Sequence, residues 1–531
     1  MRSGKLAFVL AALVCAFTST PSKAAEPQSG GTLVMLTQPE PPTLASYMST
    51  SAPIGQVASK IYDGLLEYDF NLKPIPALAE SYSIADDGKS ISFKLRQGVT
   101  FHDGAPFTSA DVQFSIEMLK ARHPLGSTVF RDVESVETPD AHTAILKFTQ
   151  PAPYVISALS GYMSPMLPKH LLDGKDPATN EYANKPVGTG PFKFVEWRRG
   201  EVIRLDRNPD YWREGLPYLD RVVVRFVADA STRTAILEKG EAHIAGFGAI
   251  PNNDVKRFAG SPLHVVTTKG YEMLSPVVDL HFNTKKAPLD NEKVRHAISY
   301  ALDRQAIIDS VWFGYGKPAT GPISSNFAVN GLYTADTMPF AVPDRIEMAN
   351  KLLDEAGLPR NQDGIRFEIV HDILPYGEEW QRLGELVQQA LLEVGIKVTL
   401  RREDVPTMLH RVYTDYDFDL VSLFFYNHAD PVIGVHRLFE STAIKKGAIF
   451  VNGTRWSTPE VDDDLRKALT EADPAARSAL YHDAQKRIVE ASPMVWLSEM
   501  QYPTVYDKRF HDLIDSPLGL YAPFSRAWLE K

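Results

Sequence analysis

Apolar residues recur with two different periods along this chain. Through the first half the period is two, the spacing of strands with one buried face. Residues 32–37 form an apolar run opened by Gly30-Gly31 and halted by Pro39, Pro41 and Pro42. Ile91, Phe93 and Leu95 alternate with Ser92, Lys94 and Arg96, which predicts a half-buried strand. Segments 192–197 and 201–205 flank Arg199-Gly200 and predict a hairpin, while Val222, Val224 and Phe226 predict a further strand. From about residue 290 the period lengthens to that of a helix. Val294, Ala297, Ile298, Ala301 and Leu302 share one helical face behind Asp290, which can cap the start. Ile346, Ala349, Leu352, Leu353 and Ala356 repeat the pattern up to Gly357. Leu383, Leu386, Val387, Ala390, Leu391 and Val394 do so again up to Gly395, and a strand over 396–400 follows at once. A helix then leads into the apolar run 418–426. Helix alternating with strand predicts a mixed α/β lobe, so the chain reads as two unequal α/β lobes with a boundary near residues 270–285. Self-similarity at a fixed period is missing, which excludes a solenoid or propeller.

The first residues stand apart from this pattern. Arg2 and Lys5 precede an apolar run over 6–17, and Ser22-Lys23-Ala24 offers small residues where a signal peptidase reads. The segment 1–24 is therefore expected to be a secretory signal peptide, cut after Ala24 or Ala25. A membrane span needs about 20 apolar residues, more than this run supplies. The single cysteine, Cys15, lies inside the leader behind Val14, where a lipid-anchoring signal requires a small residue. The expected product is a free, exported periplasmic protein without disulfides, incapable of thiol catalysis or thiolate metal binding. At 531 residues it has room for more than one lobe, and a net charge of -10 argues against a nucleic-acid partner.

The chain carries few marks of catalytic chemistry. The chain has no Gly-x-Ser-x-Gly elbow, no Walker A loop and no His-Glu-x-x-His pair. Gly188-Thr189-Gly190 is followed by Pro191, which fits a tight turn better than a phosphate loop. His428 and His436 match no local metal-ligand spacing, so neither a metal nor a cofactor is expected. Asp462-Asp463-Asp464 fits the first turn of a helix. One stretch stands out: Phe424-Phe425-Tyr426-Asn427-His428-Ala429-Asp430, where an apolar run ends in polar groups before Pro431. Ligands commonly bind at such sheet mouths, but an ordinary strand exit with an Asp-Pro turn explains it equally well.

A longer segment carries a family resemblance. Leu95-Arg96-Gln97-Gly98-Val99-Thr100-Phe101-His102-Asp103-Gly104-Ala105-Pro106-Phe107-Thr108-Ser109-Ala110-Asp111-Val112 resembles the signature of family 5 extracellular solute-binding proteins. These are the peptide- and nickel-type binding components of bacterial ABC importers. Ile61-Tyr62-Asp63-Gly64-Leu65-Leu66, Arg207-Asn208-Pro209-Asp210-Tyr211-Trp212 and Val294-Arg295-His296-Ala297-Ile298 agree in the expected order. The resemblance implies an α/β, two-lobed periplasmic binding protein fold, the type II architecture in its large family 5 variant with an extra subdomain in the first lobe. Lobe I would span 25–275, lobe II 276–490, and 491–531 would return to lobe I. It further implies a non-enzymatic receptor, monomeric, that captures a di- or oligopeptide by hinge closure. The receptor would deliver it to an inner-membrane ABC permease complex of two permease subunits and two ATPases. His102, Asp103 and Gly104 are expected to build a turn and not to touch ligand.

Ligand residues follow from the resemblance position by position. Gln38 and Glu40 lie in the loop after the first strand, where peptide-binding relatives touch ligand. Those relatives also carry an aspartate four residues before a proline, paired with the peptide α-ammonium. Here that position is Asn427, which can accept a hydrogen bond but cannot neutralise a charge. Phe424 replaces their tryptophan, and Asp430 is the nearest acid that could supply the missing charge. The expected ligand-binding set is Gln38, Glu40, Phe424, Tyr426, Asn427, His428 and Asp430. The Asn427 departure leaves an opine, a sugar conjugate, an N-blocked peptide or a metal chelate open beside a peptide. A secreted hydrolase would need a nucleophile–base pair that the chain does not show.

Overall fold

A computed structural model describes residues 26–531. The expected leader 1–24 and Cys15 lie outside the described residues. Three large sheets organise the rest, beside two two-stranded pairings, Leu66–Tyr68 with Pro74–Pro76 and Phe510–His511 with Trp528–Leu529. The first has seven strands in the order His264–Thr267, Thr504–Asp507, Ile244–Ala245, Thr32–Leu36, Arg221–Arg225, Val202–Arg207 and Phe192–Arg198. Thr32–Leu36 sits in the middle and runs parallel to both neighbours. The expected hairpin is present, Phe192–Arg198 pairing antiparallel with Val202–Arg207. A separate four-stranded antiparallel sheet, Ala79–Ile84, Ser90–Leu95, Thr143–Phe148 and Val133–Asp140, packs against the helix Ser109–Arg122. Alternation in Ser90–Leu95 aims Ile91, Phe93 and Leu95 inward. That helix starts on a reciprocal capping box between Thr108 and Asp111.

The third large sheet belongs to the second half of the chain. Its six strands run in the order Gly316–Pro318, Met494–Met500, Pro276–Phe282, Leu420–Tyr426, Phe367–Asp372 and Ile396–Arg401. Helices Glu292–Ala301, Arg345–Glu355 and Glu378–Glu393 lie where the helical period places them. The first is capped by Asn291, whose side chain accepts from Lys293 N at 3.0 Å, and not by Asp290.

Two large apolar cores result, with a smaller third around Leu36, Leu237 and Val505. One gathers Leu33, Phe93, Tyr154 and Phe524; the other gathers Val278, Ile298, Leu383 and Trp496. Leu513, Leu520 and Ala527 join the first core although they come from the far end of the sequence. Met494–Met500, expected to have rejoined the first lobe, stays in the second sheet because it pairs with both Pro276–Phe282 and Gly316–Pro318. The chain passes between the sheets at 268–275 and again at 501–503.

Candidate functional site

Between the two halves lies a cavity of about 530 Å3. From the first half it is lined by Thr50, Ala52, Pro124, Leu125, Tyr162 and Tyr521; the second contributes Leu374, Tyr376, Leu423 to Tyr426, His428, Arg437, Ile449 and Phe450. Such a volume is usual for a small-molecule site. Aromatic and aliphatic groups make most of the wall, and Arg437 is the one charged side chain among the described residues lining it.

The second-half wall is built by the end of one strand. Leu420–Tyr426 pairs with Pro276–Phe282, bringing Phe424 opposite Val278 and Tyr426 opposite Pro276. Phe424 meets three rings, with centroids 5.7 Å from Trp380, 6.3 Å from Tyr376 and 5.5 Å from Tyr426. Phe425, which also lines the cavity, stacks on His281 at 5.3 Å. The chain then turns through His428, whose φ of 57° is left-handed, into the short helix Pro431–Gly434. Gly434 lets that helix close onto the strand: a Cβ there would stand 2.2 Å from Tyr426 O. The first-half wall rests on Tyr162 and Tyr521, whose rings are 4.5 Å apart.

Of the seven residues expected from sequence, Phe424, Tyr426 and His428 line this cavity. His428 is 5% exposed, and its Nδ1 has no hydrogen-bond partner among the described residues. Burial, with help from Arg437 and His123, pushes its pKa down to about 3, so the ring is neutral at physiological pH. Burial likewise holds the Tyr426 phenol well above its ordinary value.

The other four do not line the cavity. Gln38 is half-buried beside Pro39. Glu40 accepts from Trp197 Nε1 at 2.8 Å and from Gly200 N at 2.9 Å, which ties the proline-rich loop to the hairpin. Asn427 is buried; its Oδ1 accepts from Ser324 N at 2.7 Å and its Nδ2 donates to Pro322 O at 3.1 Å. Asp430 takes both guanidinium nitrogens of Arg477 at 2.9 Å and caps Val432 N at 3.0 Å. A carboxylate committed to a forked ion pair and a helix cap has no charge left for a ligand ammonium, which corrects the role expected of Asp430. Burial opposes the Arg477 charge, but Asp430 and Tyr481 outweigh it and raise its pKa. Sequence reasoning passed over Arg437, Tyr162, Tyr376, Phe450 and Tyr521, which come from segments with no local signature.

His428 and His436 are not brought together as ligands; His436 Nε2 meets Tyr481 Oη at 2.9 Å and its Nδ1 meets Glu440 at 3.2 Å. Among the described residues no cluster of His, Cys, Asp and Glu could hold a metal ion. The acidic run 462–464 falls in the first turns of helix Pro459–Thr470, and Asp464 pairs with Arg487 at 3.2 Å.

Two lobes around a shared, aromatic-walled cavity define the two-lobed class of solute-binding proteins. The chain belongs to the bacterial extracellular solute-binding proteins, family 5, whose model matches residues 73–446. It is 29% identical over 483 residues to the glutathione-binding protein GsiB of Pectobacterium atrosepticum, covering 88% of each chain. Among solved structures it resembles AgaA from A. tumefaciens R10 in complex with agropinic acid: TM-score 0.73, 28% identity, 94% of this chain and 99% of that one. It also resembles the oligopeptide-binding protein AppA of Bacillus subtilis in complex with a nonapeptide: TM-score 0.76, 27% identity, 95% of this chain and all of that one. Proteins of this family are the substrate-binding parts of ABC importers, working with permease and ATPase components and not as enzymes. They are extracellular or periplasmic, and no described helix here is long and apolar enough to cross a membrane.

Proposed function

We propose that this chain captures a short peptide between its lobes, in the periplasm, and passes it to an inner-membrane permease complex of two permease subunits and two ATPases. The observation that carries the reading is the cavity of about 530 Å3 whose walls come from both lobes. Contacts to both walls supply the free energy for hinge closure about 268–275 and 501–503. A peptide is favoured by the relatives that bind glutathione and a nonapeptide, and by a wall of aromatic side chains suited to apolar side chains of a ligand. On this reading lobe I takes in residues from 26 to about 270 and again from 504 onward. The 1–24 leader would be removed on export without a lipid anchor, and the receptor would act as a monomer. An opine or sugar conjugate is the second reading, favoured by a wall with no carboxylate among the described residues to meet an α-ammonium and by the agropinic acid bound to AgaA. Mass spectrometry of ligand released from natively purified protein tests the choice. Recovery of a peptide supports the first reading; recovery of a carbohydrate or opine without peptide overturns it.

A further inference from the structure

Arg437 is the anomaly of the cavity. It sits just beyond the helix Pro431–Gly434, with its guanidinium carbon 5.6 Å from the Phe425 ring centroid. Its hydrogen bonding is nearly unused: Nε reaches Gly434 O at 3.5 Å, and neither terminal nitrogen has a partner among the described residues. No described carboxylate lies within ion-pair distance of it. Most buried or half-buried arginines elsewhere in the chain are satisfied, Arg477 by Asp430 and Arg295 by the carbonyls of Leu289, Asp290, Ala491 and Ser492.

A half-buried guanidinium without a counter-ion is costly unless something else completes it. Beside it, the Nδ1 of neutral His428 is also without a partner. Two unfilled polar groups therefore share a wall otherwise made of aromatic, aliphatic and hydroxyl side chains, and the one charge among them is positive. A planar carboxylate matches the guanidinium fork with two parallel hydrogen bonds. An ammonium would meet no opposite charge here and would face like charge instead.

We propose that Arg437 anchors a carboxylate of the ligand and that the ligand presents no free α-ammonium to this cavity. The inference deepens the peptide reading and rests on it only for the identity of the ligand's body. The compatible ligands are organic acids with an apolar or aromatic portion, including peptides whose amino group is acylated or lies outside the cavity.

The test uses the mature full-length protein with four forms of Ala-Phe: free, N-acetylated, C-amidated, and both. Titration calorimetry reads the affinities, alongside mass spectrometry of natively co-purified ligand. N-acetylation should leave affinity equal or tighter, whereas amidation should weaken it at least about 30-fold, the size of a lost charge-assisted pair. Arg437→Gln should abolish the preference for acid over amide, and Arg437→Lys should restore part of it. The unliganded Arg437→Gln protein should melt no lower than the parent, because a structural ion pair would be missed and an unpaired charge would not. An amide that binds as well as the acid, or a requirement for the free ammonium, overturns the proposal. If no form of Ala-Phe binds but a carboxylate-bearing non-peptide co-purifies, the peptide reading fails and this one stands. A protein showing neither an acid-over-amide preference nor a carboxylate-bearing native ligand overturns it.

Discussion

Asp430 and Arg477 face each other fork to fork, both contacts at 2.9 Å, in the interior and away from the cavity wall. Removing one partner of such a pair strands the other charge where water cannot reach it. Asp430→Asn should therefore lower stability by about 3–5 kcal/mol, read as a shift in urea denaturation, while ligand affinity at the cavity is unchanged. Weakened binding in a protein of normal stability would show that Asp430 meets the ligand after all.

Phe424 and Tyr426 carry the opposite expectation. Both line the cavity and both are only partly buried. Phe424→Ala should cost about 1.5–3 kcal/mol of binding, roughly 10- to 100-fold in affinity, with a smaller effect on melting. Calorimetric titration with the co-purified ligand decides it, and unchanged affinity would place the ligand elsewhere.

Glu40 was expected at the ligand, yet its two hydrogen bonds hold the hairpin. Glu40→Gln keeps the shape but cannot accept at both ends, so stability should fall by about 1 kcal/mol. Affinity should not move, and a measured loss of affinity would return Glu40 to the site.

Gly434 makes the contact between helix and strand end possible. Gly434→Ala would place a methyl group 2.2 Å from Tyr426 O, against backbone that cannot swing away. Displacement of either element should cost about 1–3 kcal/mol of stability and should also weaken binding, because Tyr426 and His428 move with it. Normal melting together with normal affinity would refute this account.

Acid should destabilise the fold. Burial pushes His102 and His123 down to about 4, and His371 and His428 down to about 3. Each ring stays neutral in the folded protein while the unfolded chain takes up a proton near about pH 6.5. Their contribution is complete above that pH and is lost as pH falls toward the folded values. Asp63 and Asp515, raised to about 6 mainly by burial, work the other way, holding protons that the unfolded chain releases from near pH 4 upward. Within this set the four histidines outweigh the two aspartates, a loss on acidification of about 1.4 kcal/mol per pH unit for each net proton. His243, lowered by burial, adds to it, and Glu272, Asp279 and Asp372, raised by burial, oppose it. The urea midpoint should fall between about pH 6.5 and 4.5; a flat or rising midpoint would contradict the buried histidines.

Periodicity located the elements well where one face is buried and the other wet. Ser90–Leu95 and Arg345–Glu355 follow from alternation and from helical spacing respectively. It located them less well where both faces are buried: Pro276–Phe282 is covered throughout and holds Asp279 and His281 in the core, so its pattern carries no direction. Met494–Met500 is covered in the same way until its last residue, which is why its sheet could not be assigned by pattern. At the site, the strand end was legible because Phe424, Tyr426 and His428 are contiguous. Tyr162, Arg437 and Tyr521 meet there only through the fold, across more than 350 positions of sequence. Asp430 was misjudged because its partner, Arg477, lies 47 residues away.

Thr504–Asp507 is threaded between Ile244–Ala245 and His264–Thr267, pairing antiparallel with both. Until that strand is synthesised, two strands made some 240 residues earlier have no partner between them, and the first sheet cannot close. Long-range pairings of this kind fold late. The order of synthesis therefore works as a timer: a ribosome that has finished the second sheet still holds a chain whose first sheet is open. A nascent chain stopped after Met500 should stay sensitive to protease in its N-terminal part, and its protection should appear only when the segment beyond Thr504 emerges.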